Sequence, residues 1–123
     1  MIVAGIGCRK GVVETDVLAA IDAALAAHGL GRVALDALAV LPQKRDEPAI
    51  GATALALGVD LLVCAGTGKP TLTQSTHSRA ATGTGSASEA AALAAAGEGA
   101  HLLGPRVAAG GATCALASTE RRP

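Results

Sequence analysis

The sequence predicts an α/β fold: a three-layer sandwich with helices on both sides of a mixed β-sheet and a C-terminal β-hairpin. Two observations indicate this fold. Short apolar segments alternate with segments of helical periodicity, and a Gly110-Gly111 pair separates the last two apolar segments as a hairpin turn would. No shift of composition or internal repeat divides the chain. We therefore expect residues 1–119 to form one domain and residues 120–123 a frayed tail.

The first apolar segment and the helix after it form a β-α unit. Residues 2–8 are apolar apart from two glycines and predict a buried strand. In residues 14–27 the larger apolar side chains share one helical face, and Gly29 follows the end of the helix. The residues on that face are Val17, Leu18, Ile21, Ala24 and Leu25.

Two further strands and a second helix follow. Residues 35–41 predict the second strand, and residues 60–64 predict the third. Between them we expect a helix that ends before Gly58. Its N-cap residue is predicted to be Asp46, and Pro48 fits in its first turn.

The last part of the chain begins with a long irregular segment. Residues 65–85 are rich in Thr, Ser and Gly and predict the longest loop of the protein. Ser86 and Glu89 have the spacing of a capping box, which predicts that an alanine-rich helix begins there. Residues 101–107 and 112–117 then predict the two strands of the hairpin.

The core must be built without aromatic side chains. Half of the 123 residues are hydrophobic, yet Phe, Tyr and Trp are absent. Since hydrophobic stabilisation follows the buried apolar area and alanine buries little of it, we expect a core that is thin for its length. Association of two or more copies would supplement it, so the composition suggests a homo-oligomer.

Charge and hydropathy argue against several classes of protein. Ten basic and ten acidic residues cancel, and no aromatic side chain is present on which a base could stack, so we expect no nucleic-acid partner. No apolar segment approaches the roughly 18 residues of a membrane span, and no signal peptide precedes the first strand. We expect a cytoplasmic protein that has no membrane partner.

The cysteines and histidines do not follow a metal-binding pattern. Cys8, Cys64 and Cys114 are widely separated and contain no Cys-x-x-Cys pair. We interpret all three as inert thiols, although the cations beside Cys8 favour a lowered pKa there. His77 lies in the long loop without a histidine or carboxylate partner at a ligand spacing. We predict no metal and no cofactor.

A glycine-rich turn after the first strand is the strongest candidate site. Gly5, Gly7 and Gly11 allow a tight backbone and the close approach of a ligand, and Arg9 and Lys10 carry adjacent positive charges. The following helix directs free backbone N–H groups toward this turn, which suits an anion. The spacing fits neither a P-loop nor a full dinucleotide-binding fingerprint. A tight turn with solvated cations is an equally simple interpretation.

Three segments are expected to meet at one edge of the sheet. The glycine-rich turn, residues 44–48 and the loop after Cys64 all leave predicted strands at their carboxyl ends. Open α/β sheets bind ligands beyond these ends. We therefore expect the three segments, with residues 82–86 at the end of the long loop, to converge there.

Four motifs, in this order, resemble one family of proteins. They are Gly5-Ile6-Gly7-Cys8-Arg9-Lys10-Gly11, Lys44-Arg45-Asp46-Glu47-Pro48, Thr82-Gly83-Thr84-Gly85-Ser86 with Glu89-Ala90-Ala91-Ala92-Leu93, and Gly111-Ala112-Thr113-Cys114-Ala115-Leu116-Ala117. Over residues 3–117 the chain resembles the cobalamin-biosynthesis family that contains the CobE proteins and the C-terminal domain of the CbiG hydrolases. Residues 66–74 depart from the family pattern, because many relatives carry an acidic, helix-starting stretch there.

The resemblance implies a function in the biosynthesis of the corrin ring of cobalamin, vitamin B12. It implies a ligand of the precorrin or hydrogenobyrinic-acid type, which is a tetrapyrrole with many carboxylate arms. The N-terminal portion of the larger hydrolase is missing, so the chain resembles the stand-alone form, which implies the aerobic pathway. Other cobalamin-biosynthesis enzymes are then further candidate partners.

The candidate ligand-binding residues come from these motifs and their chemistry. Arg9 can hold a carboxylate arm through two hydrogen bonds, and Lys10 and Lys44 add positive charge. Hydroxyl and N–H groups before the alanine-rich helix suit a carboxylate or lactone oxygen, although capping is the larger role expected of Ser86. The full set is Gly5, Gly7, Cys8, Arg9, Lys10, Gly11, Lys44, Thr82, Gly83, Thr84, Gly85 and Ser86.

Asp46 and Glu47 are the candidate catalytic residues. A carboxylate there could activate water to open the lactone ring of a precorrin-5-type intermediate. Helix capping by Asp46 and favourable first-turn charge at Glu47 explain the same residues without chemistry. Because no nucleophile and base arrangement is recognisable, we expect a carrier or accessory protein for corrin intermediates. A lactone hydrolase and a non-catalytic subunit of a pathway enzyme are the alternatives.

Overall fold

The computed structural model describes residues 1–44, 46–65, 86–97 and 99–119. In these residues the strands are β1 (Ile2–Cys8), β2 (Ala37–Val40), β3 (Asp60–Val63), β4 (His101–Leu102), β5 (Val107–Ala109) and β6 (Ala112–Ser118). The α-helices are α1 (Glu14–Ala27), α2 (Pro48–Leu57) and α3 (Ala87–Ala96), and short 3-10 helices are formed by Arg32–Ala34 and Pro42–Lys44. Most of the predicted loop, residues 66–85, and the predicted tail lie outside the described residues.

A mixed sheet forms the centre of the fold. Its strand order is β3-β2-β1-β6-β4, and β5 also pairs with β6. Strands β1, β2 and β3 are parallel, whereas β6 runs antiparallel to β1, β4 and β5. The pairing of β1 with β6 extends from Ile2 opposite Ser118 to Cys8 opposite Ala112. The first and last described strands are therefore neighbours over their whole length.

Helices α1 and α2 cover one face of the sheet. The predicted span of α1 is confirmed, and its end is closed by the Leu30 N–H, which donates to the Leu25 carbonyl at 2.9 Å. The apolar side of α1 packs with sheet residues of the same core. The residues of this core that are almost fully buried include Ile6, Val17, Ile21, Leu25, Leu38, Ile50 and Leu116. As the composition requires, the described core consists of aliphatic and other small side chains.

Helix α3 covers the opposite face at very short range. Its alanines pack against Val3 and Ala117. A Cβ atom placed on Gly5 would overlap the Ser88 carbonyl and would lie 2.6 Å from the backbone nitrogen of Ala92. The backbones of β1 and α3 are therefore in direct contact, which requires glycine at position 5. Helices on both faces of a mixed sheet confirm the predicted three-layer sandwich with its C-terminal hairpin.

Two local predictions are wrong. Residues 101–107 do not form one strand, because a bend at residues 103–106 separates β4 from β5. This bend contains Pro105, which has no backbone N–H for a sheet hydrogen bond. Asp46 is not the N-cap residue of α2: that position belongs to Glu47, and Pro48 follows as the first helical residue.

The described helices are too short or too polar to cross a membrane. The longest of them, α1, has 14 residues, and no described helix meets the length and hydropathy of a membrane span.

Candidate functional site

The parallel strands end at one edge of the sheet, which we call the carboxyl edge. Strand β1 ends there at Cys8, and because β6 runs the opposite way, its first residue, Ala112, lies opposite Cys8. Helices α1 and α2 begin at this edge because they follow β1 and β2. Helix α3 also begins there, since Ser88 in its first turn lies close to Gly7. The positive dipole ends of the three described helices therefore face the same edge.

A hydrogen bond joins the glycine-rich turn to the segment after β2. The backbone N–H of Gly11 donates to both carboxylate oxygens of Glu47, with nitrogen to oxygen distances of 3.3 and 3.2 Å. Gly11 has a φ of +77° and is exposed, a backbone conformation that glycine adopts without steric cost. The predicted convergence of these two segments is confirmed. The end of the long loop, residues 82–85, lies outside the described residues.

The side chain of Arg9 lies across the hairpin turn between β5 and β6. The Arg9 backbone N–H donates to the Gly111 carbonyl at 3.1 Å. A Cβ atom on Gly111 would lie 3.2 Å from Nε and 3.3 Å from one terminal nitrogen of the Arg9 guanidinium. The Asp16 carboxylate is next to Gly110 of the same turn, where an added Cβ would be 2.6 Å from Oδ1. The hairpin thus supports Arg9 while leaving it exposed.

Lys44 and Glu47 act electrostatically on the thiol of Cys8. Partial burial raises the pKa of Cys8, the positive charge of Lys44 lowers it, and the negative charge of Glu47 raises it again. The pKa is raised on balance, which favours the unreactive thiol. The inert interpretation of Cys8 therefore fits its surroundings better than the lowered pKa that its neighbours in sequence suggested.

The buried thiol of Cys114 predicts a loss of stability at alkaline pH. Burial raises its pKa from 9.0 to about 12, so between these values only the unfolded chain releases the proton. The resulting stabilisation is complete below about pH 9 and is lost as the pH rises toward 12. At about pH 10 we expect the free energy of unfolding to be lower by about 1 kcal/mol than at neutral pH.

Urea unfolding followed by far-UV circular dichroism at neutral pH and at about pH 10 measures this change. The Cys114→Ala variant should lose less stability over the same interval, because it has no thiol to ionise at that position. Equal losses in the two proteins would show that other groups cause the effect.

The first turn of α3 is built from three polar side chains that the sheet buries. The Ser86 hydroxyl accepts a hydrogen bond from the Glu89 N–H at 3.4 Å and lies 3.3 Å from the Ser88 hydroxyl. The capping role predicted for Ser86 is confirmed. Glu89 is 0% exposed, and its carboxylate accepts a hydrogen bond from the Arg106 backbone N–H at 2.8 Å. The carboxylate thus ties α3 to the bend between β4 and β5.

The structure divides the predicted site residues into three groups. Those at the carboxyl edge are Cys8, Arg9, Lys10, Gly11, Lys44 and the candidate catalytic pair Asp46 and Glu47. Those packed under or within α3 are Gly5, Gly7 and Ser86, which are buried. Those outside the described residues are Thr82, Gly83, Thr84 and Gly85, together with His77. Their predicted parts in ligand binding or catalysis stay predictions.

Sequence reasoning missed several residues that shape this edge. Gly111 lies next to the Arg9 guanidinium, Asp16 lies next to Gly110, and Arg106 contributes a backbone N–H to Glu89. The Gly110-Gly111 pair predicts a turn, but its position in the sequence does not reveal which side chain that turn supports. In the part of the chain that the structure describes, no group of three or more His, Cys, Asp or Glu residues could hold a metal ion.

Two comparisons bear on the family of this fold. A family model described as "Cobalamin synthesis G C-terminus" matches residues 2–117. The crystal structure of CobE, a protein from the cobalamin (vitamin B12) biosynthetic pathway, is similar, with a TM-score of 0.85 and 35% sequence identity. The match covers 95% of this chain and 89% of CobE. No curated protein sequence gives a significant match.

Two further solved structures share the fold. Cobalamin biosynthesis protein chiG from Agrobacterium tumefaciens has a TM-score of 0.76 and 38% identity, over 98% of this chain and 100% of that one. A cobalamin biosynthesis protein G homologue from Sulfolobus solfataricus has a TM-score of 0.71 at 20% identity, over 97% of this chain and 37% of that one. The fold, the family model and the two relatives above 30% identity agree. The chain therefore belongs to the cobalamin-biosynthesis family defined by the C-terminal domain of protein G, which includes CobE.

Proposed function

We propose that this protein binds a polycarboxylated corrin intermediate at the carboxyl edge and acts as a carrier or accessory factor in cobalamin biosynthesis. The observation that carries the proposal is the placement of Arg9, exposed at the end of β1 with its guanidinium lying across the hairpin turn at Gly111. A guanidinium held in this way can bind a carboxylate through two hydrogen bonds. Family membership supplies the class of ligand.

Other charges at the same edge support an anionic ligand. Lys10 is exposed on the glycine-rich turn, and Lys44 lies close enough to Cys8 to lower the pKa of its thiol. Helices α1 and α2 begin here without a side-chain hydrogen bond from their N-cap residues, Val13 and Glu47. Their first-turn N–H groups therefore add to the positive potential.

A corrin ring suits an edge of this composition. Its carboxylate arms need separated cations, which the turn after β1 and the segment after β2 provide. Contacts to the ring must come from aliphatic side chains and backbone, because the chain has no aromatic residue. We propose a ring without cobalt, as in the aerobic route. Hydrogenobyrinic acid, which has no cobalt, and its cobalt-containing counterpart, cobyrinic acid, are therefore the two ligands to compare.

The alternative of a lactone hydrolase has less support. Both carboxylate oxygens of Glu47 accept the Gly11 N–H, so a water molecule to be activated would have to compete with this donor for the same oxygens. Asp46 is exposed in the segment before α2, outside the enclosed surroundings from which an active site excludes water. Mass spectrometry of a lactone-containing precorrin after incubation tests this alternative, because hydrolysis adds one molecule of water.

Arg9→Gln tests the binding proposal. We expect the variant to bind hydrogenobyrinic acid at least about tenfold more weakly, because one charge-assisted carboxylate contact is lost. Protein and ligand are mixed and separated by gel filtration, and the visible absorbance in the protein peak measures the bound ligand. The chain contains no Trp or Tyr, so the ligand dominates the absorbance.

Arg32→Gln is the matched control. It removes the same charge from the turn before β2, at the opposite edge of the sheet, where Arg32 pairs with Asp22 at 2.7 Å. The control should bind like the wild type. Failure of the wild type to bind either ring would overturn the proposal, and so would equal losses in the two variants. The fully methylated ester of the ligand, which lacks carboxylates, should not bind.

A further inference from the structure

We propose that the Glu47 carboxylate competes with the ligand for the glycine-rich turn and thereby selects ligands with several carboxylate arms. This inference rests on the binding function proposed above. Its basis is the hydrogen bond from the Gly11 N–H to both oxygens of Glu47. The N–H group that a turn of this kind offers to an anion is thus already bound to a carboxylate of the chain itself.

The contact is well suited to exchange. Its two distances, 3.3 and 3.2 Å, are longer than the usual value of about 2.9 to 3.0 Å for an N–H donor to an oxygen. Gly11 is exposed, and the position of a Cβ atom on it has no described atom within 4 Å. Glu47 is only half-buried, so its carboxylate can move into water when another anion takes the N–H.

The charge of Glu47 also opposes the cations of the site. Lys44 and Glu47 act on the Cys8 thiol in opposite directions, which places both charges at the end of β1. An incoming carboxylate therefore meets a negative charge as well as the positive charges of Arg9 and Lys10. Repulsion of this kind lowers the affinity for all carboxylates, and specificity often depends on such an unfavourable element.

The effect of Glu47 on binding differs between ligands with one carboxylate and ligands with several. A small monocarboxylate must displace Glu47 and gains one contact in return. A ring whose other arms already contact Arg9 or Lys10 presents its next carboxylate to Gly11 at a high effective concentration. Glu47 therefore excludes common cellular carboxylates and leaves the edge available to a ligand that engages several groups at once.

Glu47→Gln tests the proposal with little change of shape. The glutamine carbonyl can still accept the Gly11 N–H, so the turn keeps its geometry while the negative charge is lost. We expect the affinity for hydrogenobyrinic acid, measured by absorbance titration, to rise about fivefold. Acetate should compete with this ligand more effectively in the variant than in the wild type. Circular dichroism and urea unfolding establish that the variant is folded.

Glu14→Gln is the control for net charge. Glu14 is an exposed carboxylate in the first turn of α1, and its replacement removes the same charge without removing the carboxylate bonded to Gly11. We expect this variant to bind at most about twofold more tightly than the wild type. Equal gains in the two variants would overturn the proposal, because they would assign the effect to net charge.

The Gly11 amide gives a direct readout. In nitrogen-edited NMR spectra its resonance should shift on Glu47→Gln substitution and again when hydrogenobyrinic acid is added to either protein. Suppose that the wild type binds but that the affinity of Glu47→Gln is unchanged or lower, or that the Gly11 resonance does not respond to the ligand. The proposed competition by Glu47 is then wrong, while the proposed binding function stands. If neither protein binds hydrogenobyrinic or cobyrinic acid, the proposed function itself is wrong.

Discussion

Replacing Gly5 with alanine is expected to reduce the free energy of unfolding by about 3 kcal/mol or more. The new methyl group would overlap the carbonyl of Ser88 and would lie 2.8 Å from the Cβ of Ala92. These atoms belong to the backbone and the shortest side chain of α3, so no rotamer change can make room. The whole helix must move away from the sheet, which loses contacts along its buried face.

Gly51→Ala is the control for this substitution. Gly51 lies within α2, is exposed, and has no described atom within 4 Å of an added Cβ. Alanine is the better helix former, so this variant should be more stable than the wild type by about 0.5 to 1 kcal/mol. Urea unfolding followed by far-UV circular dichroism measures both. A Gly5→Ala variant as stable as the wild type would contradict the close contact between β1 and α3.

Glu89→Ala is expected to destabilise the fold by about 3 kcal/mol, the second large effect. Glu89 is 0% exposed and accepts the Arg106 N–H at 2.8 Å. Its removal leaves that N–H without this acceptor and leaves a cavity between α3 and the bend before β5. Both consequences lower the free energy of unfolding when they occur in a buried region. The backbone N–H groups of β4, β5 and β6 should also become less protected from hydrogen exchange.

Glu14→Ala is the corresponding control, because Glu14 is also an acidic residue in the first turn of a helix but is exposed. It should cost at most about 0.5 kcal/mol. Urea unfolding and amide hydrogen exchange at Arg106 are the measurements. If the two glutamate variants are equally stable, burial of Glu89 contributes no net stability. Unchanged exchange at Arg106 would show that the hydrogen bond to Glu89 does not protect this N–H.

Elements with local signals could be predicted from the sequence. The apolar period of residues 14–27 and the glycine after them are short-range features, and α1 has these bounds. The capping role of Ser86 was predictable in the same way. The single strand predicted at residues 101–107 is wrong because these residues, although largely apolar, contain the Gly104-Pro105 pair, a local signal for a turn.

The contacts of the candidate site depend on distant parts of the chain and could not be predicted in this way. Arg9 and Glu47 were identified by residue type and position after a strand. The hydrogen bond between Gly11 and Glu47 depends on where the segments after β1 and β2 leave the sheet. The contact between Arg9 and Gly111 depends on the register in which β1 pairs with β6. These relations are set by the assembled sheet.

The pairing of the first strand with the last has a consequence for how the protein folds during synthesis. Strand β1 receives its second neighbour only when residues 112–118 of β6 have been made, the first of which pairs with Cys8 and the last with Ile2. Contacts between such distant residues form slowly, because the closure of a long loop precedes any gain from them. The contact of Arg9 with the hairpin depends on this late step. The glycine-rich turn therefore gains its contacts with the hairpin only after residues 110–112, more than 100 residues later in the chain, have been made.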